Sequence, residues 1–299
     1  MNIWFILTGF VIGALLGSLV KALADRSLSK RSFWGRSYCT FCKKNLHWYD
    51  LFPIISFLIL RGRCRYCHKK ISIEYLLVEV VLGALVAVTF WQSFPSFQPV
   101  SSFQFLLKIF DLLFKTFFIT VLSVLILTDI KKMFIPDRVV LPAIVIGFLL
   151  SLGLTIYKIS YLYYYLNQTP IGRLLLPPKS DYFLRHAIYN ASPLLSGVLM
   201  AVIIGGFFMS LIIITKGKGM GGGDVKLGAF MGLMLGFPQA LIAIILSFLS
   251  GAIFSIILII LGRKHFGQSI PFGPFLVIGS LAVIFWGEQI LNWYLHLSI

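Results

Sequence analysis

Acidic residues are few in this chain: ten Asp and Glu stand against 26 Lys and Arg in 299 residues, a formal net charge of +16. Charge of either sign is scarce, at 12%. That excludes an ordinary soluble domain, which carries about twice as much. Cysteine is absent outside residues 39–67, so no disulfide framework spans the chain. No Gly-rich stretch continues into G-K-[ST], which argues against a phosphate loop. The first apolar run, Asn2 to Val20, lacks a basic n-region and an A-x-A cleavage site. It therefore reads as a retained membrane span rather than a signal peptide. Internal repeats and low-complexity tracts are also missing.

What is abundant is apolar surface. The sequence is 59% hydrophobic, with a mean hydropathy of +0.93. These values identify an all-α polytopic membrane protein. Apolar runs predict about eight transmembrane helices, near 1–20, 72–92, 106–128, 135–157, 190–215, 225–237, 238–262 and 270–296. The sixth is short and Gly-rich, and Pro238 separates it from the seventh.

Positive charge is concentrated between Lys21 and Lys70, where twelve Lys or Arg are opposed only by Asp25, Asp50 and no other acid. Beside a span, such a segment marks the cytoplasmic side and contact with anionic membrane lipids, not nucleic acid. With the N-terminus outside, the inside segments 21–71, 129–134, 216–224 and 263–269 collect most of the cations, whereas 93–105 has none. Segment 158–189 is rich in tyrosine, which suits an interfacial position. Its Lys158, Arg173, Lys179 and Arg185 run weakly against the rule.

All four cysteines lie in the basic loop, as Cys39-x2-Cys42 and Cys64-x2-Cys67 separated by 21 residues. This is the spacing of two knuckles closing a four-thiolate zinc site. Four thiolates leave no open position, so the metal is expected to be structural. His68 is a spare ligand candidate, and His47 reads as an ordinary interfacial residue.

Two aspartates stand out because a carboxylate at a membrane boundary is costly and usually functional. Asp224 ends the run Gly219-Met220-Gly221-Gly222-Gly223-Asp224. Asp129 ends the third apolar run. Alternatives remain for each: Asp224 as a cap of the short sixth helix, Asp129 as a partner of Lys131 or Lys132. Asp137, behind Pro136, reads as a helix-start carboxylate. Glu79 lies deep enough in the second span to need a partner, either Lys226 or a polar contact between helices. Asp111 sits between Lys108 and Lys115 and reads as a local ion network.

Together these segments resemble the type IV prepilin peptidases, or leader peptidase/N-methyltransferases. The residues that carry the resemblance are Gly17-Ser18 with Arg26, the four-cysteine loop with Asp50-Leu51-Phe52-Pro53-Ile54-Ile55-Ser56 and Arg61-Gly62-Arg63-Cys64, Tyr75, Val78-Glu79, the Asp129 to Asp137 segment, and the G-x-G-D signature ending at Asp224. The match follows the family's order over most of the chain. It implies an intramembrane aspartic endopeptidase that removes basic leaders from type IV prepilins or pseudopilins at the cytoplasmic face of a prokaryotic inner membrane. Asp129 and Asp224 are then the catalytic pair, and Gly221, Gly223, Lys226 and Glu79 belong to the substrate groove or active-site loop. The domain division is a first span 1–20, a cytoplasmic basic four-cysteine loop 21–71 and a transmembrane protease bundle 72–299. One departure bears on the family's second activity, methyl transfer from S-adenosylmethionine. The family's G-S-F-L-N reads Gly17-Ser18-Leu19-Val20-Lys21 here. A lysine in place of that asparagine predicts weakened methylation, because its charge opposes a sulfonium donor, unless Lys21 snorkels to the headgroups. The competing class is a membrane transporter or assembly scaffold with a zinc-ribbon docking module, which leaves the G-x-G-D context unexplained.

Overall fold

The computed structural model describes residues 3–94, 102–178, 180–217, 220–262 and 270–297. Gly219, Lys218, Lys179, Arg263 and Lys264 lie outside that set. The described chain is helical, with two isolated β-bridges and no strand. The helices are α1 (Ile3–Leu28), α2 (Ile55–Ile59), α3 (Glu74–Ser93), α4 (Ser102–Lys132), α5 (Asp137–Asn167), α6 (Pro170–Leu174), α7 (Tyr182–Ile214), α8 (Gly222–Leu235), α9 (Gln239–Ile260) and α10 (Gly273–Leu297). A backbone inside lipid must satisfy its own hydrogen bonds, and a helix does so locally.

Among the described residues, seven helices are long and apolar enough to cross a membrane: α1, α3, α4, α5, α7, α9 and α10. The sixth apolar run forms α8, whose 14 residues reach only about 21 Å. That is short of the roughly 30 Å hydrocarbon core. Gly236, at φ +64°, ends α8 in a left-handed conformation suited to glycine, and Pro238 caps α9. Several helices outrun their apolar runs. α4 and α5 have 31 residues each and α7 has 33. The tyrosine-rich segment 158–189 is thus largely helical, because nothing in it breaks α5 before Asn167.

The chain divides into two compact units, Met1–Val139 and Val140–Ile299. In the first, α1 packs along α3, and both meet α4. Glycines one turn apart on α1 bring the backbones together. A Cβ at Gly13 would stand 2.6 Å from the Leu82 carbonyl oxygen, and one at Gly17 would stand 2.7 Å from Glu79 Cα. Small residues at this spacing are how helices associate in lipid, where no hydrophobic force separates helix from solvent. Gly13→Val is therefore expected to destabilise the unit by about 1–3 kcal/mol, the usual cost of overpacking. Thermal unfolding in detergent measures it. Gly153→Val, with open space around its Cα, should leave the midpoint unchanged.

In the second unit α7 packs on α8, and α9 on α10. The glycines of α8 serve this packing. A Cβ at Gly232 would meet the Met200 carbonyl at 2.6 Å, and one at Gly228 would meet the Phe208 ring at 2.5 Å. The core of α8 is Leu227, Phe230 and Met231, all fully buried.

Candidate functional site

The two cysteine knuckles share one local geometry. Cys39 N–H bonds the Lys44 carbonyl, and Cys64 N–H bonds the Lys69 carbonyl. Lys43 at φ 60° and His68 at φ 54° take the left-handed turn position in each. Bridges Tyr38 to Asn45 and Arg63 to Lys70 close the bases. The four Sγ atoms lie within 4.8 Å of one another, and Cys39 and Cys67 are 3.8 Å apart. A zinc ion at about 2.3 Å from each sulfur makes a tetrahedron with edges of about 3.8 Å, so the donor set fits. His68 is not part of the cluster.

The thiols respond to this crowding. Desolvation raises the Cys39 thiol, but the Cys42 and Phe41 amides and the neighbouring thiols outweigh it and lower it to about 7. For Cys67 the Lys69 amide favours the thiolate, yet desolvation and the other three thiols push the group up to about 11. Thiolates this close repel, and a dication is what allows all four to ionise together. Asp50 organises the rest of the loop. Its buried carboxylate accepts from Arg65 Nε at 2.7 Å, Tyr66 Oη at 3.3 Å and the His47 amide at 3.2 Å. Desolvation and the Asp50 charge push the Tyr66 phenol up to about 12.

A second polar cluster joins α1, α3 and α4. Lys21 is 2% exposed. Its Nζ lies 2.7 Å from Asp25 and 3.4 Å from Glu74, over the Tyr75 ring. Lys131 pairs with Glu74 at 2.6 Å and Asp25 at 3.7 Å, and the Tyr75 hydroxyl donates to Asp25. Two cations face two carboxylates, so the cluster is balanced. This corrects two expectations. Lys21 does not snorkel, and it does not present an unbalanced positive charge. The network was legible only in outline: Lys21, Asp25, Glu74 and Lys131 all stand at span ends assigned to one membrane face. The expected pairing of Asp111 is present, with Lys115 at 2.7 Å.

Glu79 is buried on α3, and its Oε2 accepts the Ile54 amide at 2.8 Å. It ties the cysteine loop to the helix.

Asp129 lies in the last turn of α4 and is 5% exposed, next to fully buried Thr128. The helix stops just beyond it, where Met133 N–H bonds the Asp129 carbonyl at φ 48°. Lys132 reaches the Leu28 carbonyl. Asp137 opens α5 and is exposed. Asp224 occupies the first turn of α8 and is 9% exposed, its amide bonded to the Gly221 carbonyl. Gly223 and Lys226 flank it, both half-buried. Gly221 and Gly222 differ from the packing glycines of α8. Among the described residues nothing lies within 4 Å of a Cβ at either position, and neither has a positive φ. Asp129 belongs to the first unit and Asp224 to the second.

The family described as "Bacterial Peptidase A24 N-terminal domain" matches residues 11–93, and the "Type IV leader peptidase family" matches residues 181–256. The chain is 32% identical over 261 residues to the prepilin leader peptidase/N-methyltransferase of Aeromonas salmonicida (strain A449), covering 87% of this chain and 74% of that protein. The prepilin leader peptidase/N-methyltransferase of Bacillus subtilis (strain 168) is 28% identical over 294 residues, 97% and 98% of the two chains. That of Legionella pneumophila is 28% identical over 263 residues, 88% and 76%. No solved structure matches.

Proposed function

The chain belongs to the type IV leader peptidase family, and on that premise we propose that Asp129 and Asp224 are the water-activating pair of an intramembrane aspartic endopeptidase. The substrates are type IV prepilins or pseudopilins. The observation that carries the reading is that two carboxylates, in a chain with only ten, are withdrawn from solvent at helix ends, one of them just after two glycines whose Cβ positions meet nothing within 4 Å among the described residues. A transporter or scaffold gives no reason for this, and the relatives favour the peptidase.

Two carboxylates in close approach do not both ionise easily, so the pair holds one proton between them. The ionised member takes a proton from water, and the water oxygen attacks the scissile carbonyl. The protonated member donates to the carbonyl oxygen as the tetrahedral centre forms. Collapse of that centre expels the amine, which takes up a proton from the pair. The two act as one titrating unit, so roles belong to the pair. Gly221, Gly222 and Gly223 line the approach to Asp224, where a missing side chain lets an extended peptide come close. Lys226 lies beside that approach.

The same reading places the N-terminus outside and residues 21–71 on the cytoplasmic side, by the distribution of cations. It keeps the division into a first span 1–20, the loop 21–71 and the bundle 72–299. The ion held by Cys39, Cys42, Cys64 and Cys67 is zinc, in a structural role.

Methyl transfer is part of the proposal. S-adenosylmethionine, when bound, supplies the methyl group for the new N-terminus. The chain's own contribution near Lys21 is a balanced set of charges that does not repel a sulfonium. Lys21→Asn is expected to bring no gain in methylation, and to weaken the α1–α3 contact by leaving Asp25 and Glu74 with Lys131 alone. Incubating the purified protein with a prepilin and S-adenosylmethionine, and weighing the product, tests both activities. Loss of the leader mass shows the peptidase, and an added methyl shows the transferase. An uncut prepilin overturns the first reading. Cleavage without methylation, with methylation gained in Lys21→Asn, overturns the second.

A further inference from the structure

The stretch between the cysteine knuckles is apolar in the middle of a basic loop. Residues 51–60 carry no charge. Leu51, Phe52, Ile55, Leu58 and Ile59 are exposed, Ile59 at 72%. Ile55, Leu58 and Ile59 stand at i, i+3 and i+4 on α2 and share a face, with Leu51 and Phe52 exposed just before that helix, while Ser56 and Phe57 turn inward, the hydroxyl bonded to the Asp50 carbonyl and the ring against Gly62.

The depth of this face is set by α3. Its 20 residues span about 30 Å, the thickness of the hydrocarbon core, so it needs its whole length to cross. Glu79 lies five residues into that helix, about 7.5 Å along its axis. Its carboxylate holds the Ile54 amide at 2.8 Å. A helical side chain tilts toward the N-terminus of its helix, so Ile54 lies level with the first turns of α3, at the edge of the leaflet. Irregular backbone is tolerated there only when its polar groups are satisfied by protein. Much of this stretch meets that condition: Pro53 has no N–H, Ile54 donates to Glu79, and Ile55, Ser56, Leu58 and Leu60 donate to backbone carbonyls.

We propose that residues 51–60 are a membrane-inserted wedge, seated in the leaflet where α3 begins, whose partner is phospholipid. Acyl chains cover Ile55, Leu58 and Ile59. Anionic headgroups meet Arg61 and Arg63, which follow directly, and Trp48 and Tyr49 stand at the boundary that aromatic side chains favour. Charge decides against the alternative occupant. A prepilin carries a basic leader beside its apolar helix, and the segment from Lys21 to Lys70 remains net positive after Lys21 and Arg65 pair with carboxylates, so this face favours anionic lipid over that leader. The wedge fastens the cysteine module to the bilayer surface. It holds independently of which residues cut the substrate.

The test is photocrosslinking in the full-length protein. Benzoylphenylalanine replaces Leu58 in one preparation, Ile59 in a second and Arg36, an exposed loop residue, in a third. Each is reconstituted in vesicles of phosphatidylethanolamine and phosphatidylglycerol, irradiated with and without a prepilin, and weighed. The expected result is phospholipid adducts at the Leu58 and Ile59 positions, several-fold above the Arg36 position and unchanged by prepilin. Adduct levels equal to those at Arg36 overturn the proposal. So do prepilin adducts that replace the lipid adducts, because the face is then a substrate-docking surface. Adduct formation does not require turnover, so failure here is separate from failure of the peptidase reading.

Discussion

Asp129→Asn and Asp224→Asn are each expected to abolish prepilin cleavage while the protein remains folded and inserted. Asparagine keeps the volume of a side chain that is 5% or 9% exposed, so packing survives. It cannot take a proton from water or pass one to the carbonyl oxygen. Residues that act as a unit are not additive, so each single change should cost roughly four orders of magnitude or more, and the double variant should be no worse. The measurement is the initial rate of leader release from a purified prepilin, with circular dichroism and unfolding midpoint as folding controls. Substantial turnover by either variant removes that aspartate from the mechanism. A pair sharing one proton also gives a bell-shaped dependence of rate on pH, whose two limbs belong to the pair.

The second large effect is expected on removing the metal. Between residues 29 and 73 only Pro53 and Cys64 bury an apolar side chain. The loop has no apolar core, and its order rests on the knuckles, the Asp50 hub and the tie from Glu79 to Ile54. Structural zinc binding to small motifs of this kind is worth about 10–16 kcal/mol near neutral pH, which is also the energy that folds them. Elemental analysis is expected to find one zinc per chain. Cys64→Ser, or a strong chelator, should release it and open the loop to protease while α1 and α3 stay intact. Cleavage of prepilin should fall later than loop order. A metal-free protein with an undisturbed loop, or a disulfide between any of the four cysteines, would count against the site.

Much of this protein follows from residue spacing alone. Long apolar runs require helices because lipid offers the backbone no other hydrogen-bond partner. The paired C-x2-C knuckles require their sulfurs to converge, and they do, within 4.8 Å. The burial of Asp129 and Asp224 follows from their positions at the ends of apolar runs. All of these depend on neighbours a few residues away. What depends on distant neighbours was decided by the tertiary structure. Lys21 looked like a free charge on the end of a span until Asp25, Glu74, Tyr75 and Lys131 closed around it from three helices. Glu79 looked like a polar residue in need of a partner, and its carboxylate holds the loop backbone at Ile54. Gly228 and Gly232 serve packing against α7, whereas among the described residues nothing lies within 4 Å of a Cβ at Gly221 or Gly222. Sequence periodicity places a side chain on a face of its own helix. Which backbone, charge or void that face then meets is set by contacts between elements far apart in the chain.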